Sequence, residues 1–349
     1  MILIDGAFGE GGGQILRYSA ALAAATGKTV RVVNIRANRP NPGLRPQHLS
    51  SLKILQMIFG GDIEGLRIGS TEVVIRLDGP KPGRLTYDIG TAGSISLVIQ
   101  SLVPALVLAD SESEITLIGG TDVKWSPTID YMRYVYTSII KRFGPTIQID
   151  ILRRGYYPAG GGKVRLRVAP SGMLDSVKLI DKGDLDELLI RSVVSRLPQH
   201  ILHRQADAAL KTLSRAGLED LENIVRVEKE YVPPDKAGGP GTSILVVARH
   251  SEELYCGGDS IGERGKPAEK VGEEAAKRFL GWLKSGAVLD RYVGDMIIPF
   301  MALSEGGGVY TVSEFTKHME SALYVVEKIL GVGYRVEKIS ESIYKIEIR

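Results

Sequence analysis

Histidine is rare in this chain, and one histidine occupies an unexpected place in an amphipathic segment. Only five of the 349 residues are histidines. His318 lies in the stretch SEFTKHMESALYVVEKIL, residues 313–330, in which apolar or small side chains recur at the i, i+3, i+4, i+7 spacing of a helix. Because His318 falls within this apolar stripe, it is either a buried, hydrogen-bonded structural residue or a neutral imidazole that faces an anionic ligand.

Polar side chains also surround a glycine-rich turn near the start of the chain. The segment DGAFGEGGGQILR holds Asp5, Glu10, Gln14 and Arg17. It follows a strand-like stretch and opens a helix, but the dinucleotide-binding pattern fails because Gln14 stands where a third glycine is required. Backbone N–H groups at such a helix start suit an anion, and Glu10 is able to hold a metal ion. The alternative is a glycine turn needed only for close packing.

A second loop combines arginine with proline. The segment IRANRPNPGLRPQHL contains Arg36, Arg39, Arg45, Gln47 and His48 beside prolines that restrict the backbone. Guanidinium groups on a stiff loop suit phosphate oxygens, because the planar fork donates two hydrogen bonds and needs little ordering on binding. The alternative is a charged loop that is only solvated.

Three further residues stand within or beside apolar runs. Gln100 is a lone polar residue in LVIQSLVPAL, where it is either a buried, paired amide or a ligand contact. Asp295 precedes the apolar run MIIPFMAL, and Tyr292 lies three residues before it. This carboxylate and this ring either position an imidazole and stack on a base, or simply cap and pack a helix.

A repeated pattern supplies the elements that would position these side chains. An amphipathic helix, a glycine stop and two alternating strands occur three times, with the helix-ending glycines at Gly60, Gly144 and Gly331. A second helix precedes each copy. The distance along the chain from the second copy to the third is about 100 residues longer than the distance from the first copy to the second. This difference indicates an insertion.

The predicted fold class is therefore α/β (α+β). It comprises three repeated units of two helices and a small sheet in a pseudo-threefold arrangement, with a smaller inserted α/β domain. The main, catalytic domain is predicted to span residues 1–175 and 276–349, and the inserted domain residues 176–275. Loops at equivalent ends of the three units would converge on a shared cleft.

Composition excludes several classes of protein. Hydrophobic residues make up 44% of the chain and charged residues 24%, and no apolar run approaches the ~18 residues of a membrane span. The first residues show no basic signal region, so we expect a cytoplasmic protein without a membrane partner. The single cysteine, Cys256, excludes an intramolecular disulfide and a multi-cysteine zinc site. A net charge of +3 does not by itself indicate nucleic-acid binding.

Taken together, five separated motifs make the chain resemble the RNA 3′-terminal phosphate cyclases. In chain order these motifs are DGAFGEGGGQILR, IRANRPNPGLRPQHL, GTAGSISLVIQ, RRGYYPAGGGKV and SEFTKHMES. The resemblance spans residues 3–349. It implies three repeated α/β units, similar to the C-terminal domain of bacterial translation initiation factor three, that carry a smaller inserted domain.

The resemblance implies an ATP-dependent reaction on RNA that ends in a 3′-phosphate. His318 would attack the α-phosphate of ATP and release pyrophosphate, and the adenylate would pass to the RNA 3′-phosphate. The vicinal 2′-hydroxyl would then attack the activated phosphorus, which releases AMP and leaves a 2′,3′-cyclic phosphate. A neutral imidazole suits this role, and the helix N-terminus favours the phosphates that it faces.

The resemblance also implies roles for the polar residues. Glu10 would bind the Mg²⁺ or Mn²⁺ ion that bridges the phosphates, and Asp295 would orient His318. Contacts to phosphates or to the nucleotide would come from Gln14, Arg17, Arg36, Arg39, Gln47 and Gln100. Three residues would flank the adenine: Pro127, Tyr131 and Tyr292.

The chain departs from the family pattern at one place, and two other interpretations compete with the resemblance. Family members often carry a Thr-Asn pair three and four positions after the histidine, where this chain has Ser321 and Ala322. A non-catalytic ribosome-assembly or rRNA-processing protein of the same superfamily would lack the histidine nucleophile. An enolpyruvyl transferase would need six copies of the repeated unit, and only three are counted.

Overall fold

The computed structural model describes residues 1–218, 223–250 and 253–349 of the chain. Within these ranges the strands are β1 (Ile2–Asp5), β2 (Val30–Val33), β3 (Asp62–Glu64), β4 (Val73–Arg76), β5 (Arg84–Asp88), β6 (Ser113–Gly119), β7 (Thr146–Arg153), β8 (Gly162–Ala169), β9 (Val177–Leu179), β10 (Leu185–Ser195), β11 (Val225–Val232), β12 (Gly241–His250), β13 (Leu254–Ile261), β14 (Gly308–Val312), β15 (Tyr334–Ser340) and β16 (Ile343–Ile348). The helices are α1 (Gly13–Thr26), α2 (Pro46–Phe59), α3 (Ile95–Leu106), α4 (Ile129–Tyr131), α5 (Thr137–Ile140), α6 (His200–Ser214), α7 (Ala268–Ser285), α8 (Val293–Met296), α9 (Ile298–Leu303) and α10 (Lys317–Leu330). A π-helical turn, Met132–Tyr136, joins α4 to α5.

The first unit shows how local sequence sets its elements. α1 is rich in alanine, which favours the helix and allows close packing, and it ends where Gly27 adopts a left-handed conformation at φ 67°. β1 runs parallel to β2, β4 runs antiparallel to β2, and β3 runs antiparallel to β4. The resulting strand order is β1-β2-β4-β3.

The same topology recurs twice more. The second sheet has the order β5-β6-β8-β7, and the third has the order β9-β14-β16-β15, with the same parallel and antiparallel pairs at each step. The alternation predicted for the strands is visible in β8, where every second side chain is buried. The prediction of three repeated units of two helices and a small sheet is confirmed, and the pseudo-threefold symmetry stays a prediction.

A fourth sheet interrupts the third unit between its first strand and its first helix. This sheet has the order β11-β10-β12-β13, and α6 and α7 pack against each other and against its strands. We call the described residues of the range 185–285 the inserted segment. α7 packs on the inserted sheet, and the first helix of the third unit is the α8–α9 pair.

The domain limits predicted at residues 176 and 275 stay a prediction. Two elements beside these limits pack as follows: β9 pairs with β14 of the third sheet, and α7 continues to Ser285 along the inserted sheet. In the repeated body, α1 packs against α2, α3 and α10. Within the described ranges, no helix combines the length and the apolar character needed to cross a membrane.

Candidate active site

The candidate active site lies where the first turns of several helices meet two loops. We call residues 6–12, which join β1 to α1, the glycine turn, and residues 34–45, which join β2 to α2, the arginine loop. α10 packs against α1 and α8. Helix starts present free backbone N–H groups and the positive end of the helix dipole, so their convergence favours an anion.

His318 lies in the first turn of α10 and is exposed. Its side chain is 54% accessible to solvent, so the interpretation as a buried core residue is wrong. Nε2 lies 3.3 Å from Glu10 Oε2, and Nδ1 lies 3.7 Å from Asp295 Oδ2. The apolar stripe of the helix starts one residue later, where Met319 is buried together with Leu323. The imidazole is therefore held between two carboxylates at the open end of the helix.

Asp295 supports the imidazole from the buried side of the site. Gln14 Nε2 donates a hydrogen bond of 2.5 Å to Asp295 Oδ2, and the Tyr18 hydroxyl donates to the Asp295 carbonyl oxygen over 3.2 Å. Burial raises the pKa of Asp295 to about 6, while the positive charges of His318 and Arg17 act in the opposite direction. This carboxylate is thus costly to ionise where it stands, which is typical of functional sites.

The glycine turn packs against α10, the helix that carries His318. The Phe8 and Tyr324 rings stack with centroids 4.2 Å apart and planes 12° apart, and the Tyr324 hydroxyl accepts a hydrogen bond of 3.0 Å from the Asp5 backbone N–H. Gly9 has φ +60°, and a Cβ added to it would lie 2.7 Å from Ser321 Oγ. Ser321, where this chain departs from the usual family pattern, therefore packs directly on the turn that carries Glu10.

Four arginines lie beside the site, one on α1 and three on the arginine loop. Burial lowers the pKa of Arg17, and among the described residues its Nε has no hydrogen-bond partner. Burial, followed by the charges of Arg45 and Arg39, lowers the pKa of Arg36, whose Nη1 donates to the carbonyl oxygens of residues 41 and 43. Arg39 Nη2 lies 3.5 Å from Glu10 Oε2. Several guanidinium groups in one place, together with the buried Arg17 N–H that lacks a partner among the described residues, are typical of a site that binds an anion.

His48 belongs to the segment IRANRPNPGLRPQHL and lies in the first turn of α2, and the sequence alone indicated no role for it. Its Nδ1 accepts a hydrogen bond of 3.2 Å from the Arg45 backbone N–H, which leaves the proton of the neutral ring on Nε2. Burial, followed by the charges of Arg17, Arg36 and Arg45, lowers the pKa of His48 to about 3. Together with Arg17 and Gln47, His48 lines a small cavity beside the start of α1. The feature of the sequence that could have indicated His48 as a site residue is its position in the first turn of a helix that begins with proline.

Gln100 lies buried on α3 between two parts of the site. Its Nε2 lies 3.6 Å from Met296 Sδ and 3.9 Å from Met132 Sδ, which are weak acceptors. Met296 directly follows Asp295, and Met132 directly follows Tyr131. Among the described residues these thioethers are the only partners of the Gln100 Nε2 group, which keeps hydrogen-bonding capacity for a ligand, so both interpretations of Gln100 stay open.

Tyr131 and Tyr292 lie in contact, and we call this pair the aromatic wall. Their ring centroids are 6.4 Å apart and their planes meet at 84°. Tyr131 is 1% exposed, whereas Tyr292 is half-buried with the guanidinium groups of Arg278 and Arg291 over its ring, at 5.7 and 5.4 Å from the centroid. Pro127 is half-buried in the loop before α4. The role predicted for these residues at the adenine stays a prediction.

The donor set for a divalent ion is small. In the part of the chain that the structure describes, no group of three or more histidine, cysteine, aspartate or glutamate side chains is placed to hold a metal ion. Glu10 is 38% exposed and faces His318 and Arg39. Magnesium is commonly bound through one or two carboxylates together with substrate phosphates, and Glu10 fits that mode of binding.

Comparison with known proteins gives this geometry a context. A family model described as RNA 3′-terminal phosphate cyclase matches residues 8–336. Relatives that carry the name RNA 3′-terminal phosphate cyclase include those from Pyrobaculum aerophilum, Staphylothermus marinus and Pyrococcus furiosus. The one from Pyrobaculum aerophilum is 42% identical over 348 residues, covering 99% of this chain and 97% of the relative. Those from Staphylothermus marinus and Pyrococcus furiosus are both 44% identical, and each covers 97% of this chain, with 96% and 95% of the relative covered.

The chain therefore belongs to the RNA 3′-terminal phosphate cyclase family.

Proposed function

We propose that this protein converts an RNA 3′-terminal phosphate to a 2′,3′-cyclic phosphodiester in an ATP-dependent, ligase-type nucleotidyl-transfer reaction. The observation that carries the proposal is the exposed imidazole of His318, held 3.3 Å from Glu10 and 3.7 Å from Asp295 at a helix N-terminus. A histidine with a purely structural role does not require an exposed ring between two carboxylates. The family membership and the names of the relatives support the same reaction.

In the first step His318 acts as the nucleophile. With Nδ1–H directed to Asp295, the lone pair lies on Nε2, which attacks the α-phosphorus of ATP. The N–P bond forms, the bond from this phosphorus to the bridging oxygen breaks, and pyrophosphate leaves with that electron pair. Asp295 stabilises the positive charge that develops on the imidazole ring.

The guanidinium groups hold the triphosphate during this step. Arg36 and Arg39 lie near each other on the arginine loop, and Arg17 lies on α1 with the Gln47 amide donor beside it. Their charges offset that of the leaving pyrophosphate in a setting where the donors are already oriented. Glu10 would hold a Mg²⁺ or Mn²⁺ ion, which polarises the phosphate oxygens when it is bound.

In the second and third steps the adenylate moves and then leaves. An oxygen of the RNA 3′-phosphate attacks the phosphorus of the His318 adenylate, which forms a P–O–P bond and frees the imidazole. The adjacent 2′-hydroxyl loses its proton and attacks the terminal phosphorus of the RNA. AMP departs, and the 2′,3′-cyclic phosphodiester remains. Adenine would be flanked by Tyr292, Pro127 and Tyr131, with Gln100 in the same cleft.

The chemistry of the RNA end tests this proposal. We expect a strand with a 3′-phosphate and a 2′-hydroxyl to be converted in the presence of ATP, because only that end carries both the acceptor phosphate and the internal nucleophile. The same strand with a 2′-deoxy terminal sugar should accumulate an adenylated, uncyclised end. The products are resolved by gel electrophoresis and mass spectrometry, with the His318→Asn protein as control. A cyclic product from a 3′-hydroxyl strand, or conversion without ATP, would contradict the proposal.

The competing function is that of a non-catalytic ribosome-assembly or rRNA-processing member of the superfamily. Such a protein has no use for an exposed histidine between two carboxylates, and the arginine cluster beside it would serve only to bind RNA. The cytoplasmic location expected from the sequence stays a prediction.

A further inference from the structure

Asp290 is a buried carboxylate that sequence analysis did not single out. It is 1% exposed and lies in the segment that leads into α8. Four donors converge on it: the Tyr131 hydroxyl at 2.7 Å, the Tyr292 N–H at 2.9 Å, and the N–H groups of Val293 and Gly257, both at 3.1 Å. Full burial of a charged group with this many donors indicates a position that the fold holds firmly.

Two of these donors belong to the aromatic wall. Oδ1 accepts hydrogen bonds from the side chain of Tyr131 and from the backbone of Tyr292, so one oxygen atom joins the Tyr131 hydroxyl to the backbone that carries the Tyr292 ring. The edge-to-face packing of the two rings is weak by itself. Asp290 therefore links the Tyr131 side chain to the turn from which the Tyr292 ring projects.

The other oxygen connects the aromatic wall to the inserted segment. Asp290 Oδ2 accepts the hydrogen bond from Gly257, which lies on β13. From the same strand, Asp259 Oδ2 accepts a hydrogen bond of 2.7 Å from the Thr128 N–H, and the Thr128 hydroxyl accepts from the Tyr131 N–H. α7 adds Arg278 over the Tyr292 ring. The inserted segment thus supports the aromatic wall through three contacts.

A purely structural account of Asp290 is that it caps the short helix α8. Its bonds to the N–H groups of Tyr292 and Val293 fit that account. The bonds to the Tyr131 hydroxyl and to Gly257 do not, because neither group belongs to α8. The two accounts differ in what the carboxylate should do for ligand binding.

We propose that Asp290 is a positioning residue for the nucleotide base, and that it works by joining Tyr131, Tyr292 and strand β13 of the inserted segment. The inserted segment is then part of the nucleotide site without touching the phosphates. This inference rests on the proposed function only in taking ATP as the nucleotide, and it concerns binding of the base, whereas the proposed function concerns the chemistry at the phosphates.

The test compares a ligand that has a base with one that has none. Equilibrium binding of ATP and of inorganic tripolyphosphate, both with Mg²⁺, is measured by calorimetry for the wild type, Asp290→Asn and Tyr131→Phe. Asparagine keeps one acceptor oxygen but offers Gly257 an amide that cannot accept. We expect Asp290→Asn to weaken ATP binding about tenfold and Tyr131→Phe about threefold, since single hydrogen bonds in such networks contribute about 0.5–1.5 kcal/mol. Tripolyphosphate binding should not change.

Tyr136→Phe is the matched control. Tyr136 is fully buried in the same helical segment as Tyr131, and its hydroxyl has no hydrogen-bond partner among the described residues. Removing that hydroxyl should leave ATP binding unchanged. If Asp290→Asn does not fold, as judged by circular dichroism, Tyr131→Phe decides the question by the same criterion.

The possible results separate this inference from the proposed function. The role of Asp290 is overturned if Asp290→Asn weakens the binding of ATP and of tripolyphosphate equally, or does not weaken the binding of ATP. It is also overturned if the wild type binds the two ligands equally, or binds neither. Selective weakening of ATP supports it. If the wild type binds ATP selectively but forms no covalent adenylate, the proposed function fails and the positioning role survives.

Discussion

Replacing Asp295 by asparagine should stabilise the fold at neutral pH while it slows the reaction. The ordinary pKa of an aspartate is 3.8, and burial raises that of Asp295 to about 6. A raised pKa means that folding favours the protonated carboxyl. The wild type therefore carries no penalty below about pH 3.8, loses stability as the pH rises towards 6, and carries the full penalty above that value. Asparagine does not titrate and avoids the penalty at every pH.

The size of the effect follows from the two pKa values of Asp295. One pH unit between them corresponds to about 1.4 kcal/mol, so the penalty at pH 8 is about 3 kcal/mol. Asparagine retains an oxygen that can accept the hydrogen bond from Gln14, so this contact does not reduce the gain.

The assay is equilibrium unfolding in denaturant between pH 4 and 8, under conditions where unfolding is reversible. We expect the Asp295→Asn protein to match the wild type near pH 4 and to exceed it by about 2–3 kcal/mol in free energy of unfolding at pH 8. Asp62→Asn, at an exposed position of β3, changes the net charge equally and serves as the control. Covalent labelling by ATP should be slower by about 10²-fold or more, since the carboxylate that orients and stabilises the imidazole is lost.

Two results would refute this reasoning. A loss of stability at pH 8 would mean that the ionised carboxylate contributes more through its contacts than it costs by burial. A gain that does not change between pH 4 and 8 would mean that the titration of Asp295 is not its cause.

Two further predictions concern the arginines. Arg39→Ala should lower the affinity for single-stranded RNA and reduce the slope of log affinity against log salt by about 0.7, as measured by fluorescence anisotropy over a salt series; an unchanged slope would show that the arginine loop is only a solvated surface. Asp130→Ala should lower the free energy of unfolding by about 3–5 kcal/mol, because it removes the carboxylate 2.8 Å from Arg154, whose side chain is 2% exposed. Glu114→Ala, which breaks the exposed pair with Arg167, should cost less than about 1 kcal/mol in the same denaturant experiment, and equal losses for the two variants would contradict this account.

The repeated architecture was accessible from the sequence because its signals are local. A helix period, a glycine that ends the helix and two alternating strands each need only a short window of residues, and the three copies have the same sheet topology in the structure. The place of the insertion was harder to predict. β9 pairs with β14 across the whole inserted segment, and no local pattern in three residues announces a partner that is so distant in the chain.

The exposure of His318 shows a limit of periodicity arguments. The residue shares a helix face with Ser321 and Ala322, which are buried, so the pattern places it in the core. In the first turn, however, no preceding turn covers that face, and the helix end opens onto the glycine turn. A helical wheel shows which face of the helix carries a side chain, but it does not show whether the end of the helix is buried or exposed.

The site residues differ in how far sequence could reach them. The resemblance to the family indicated Glu10, Asp295 and His318, and the structure brings these three side chains together. Asp290 carries no such signal, because its partners come from strand β13, from the segment around Tyr131 and from its own turn. Convergence of that kind is a property of tertiary packing and is visible only in three dimensions.

The central claim is that His318 is the nucleophile, and the chemical stability of the labelled protein tests it most directly. After incubation with ATP labelled in the α-phosphate and Mg²⁺, we expect AMP bound to the protein through a P–N bond that breaks in mild acid and survives alkali, and we expect no label on His318→Asn, which lacks the attacking nitrogen. A label that is lost in alkali would assign the attack to a carboxylate such as Asp295. A His318→Asn protein that still forms the acid-labile adenylate would contradict the account.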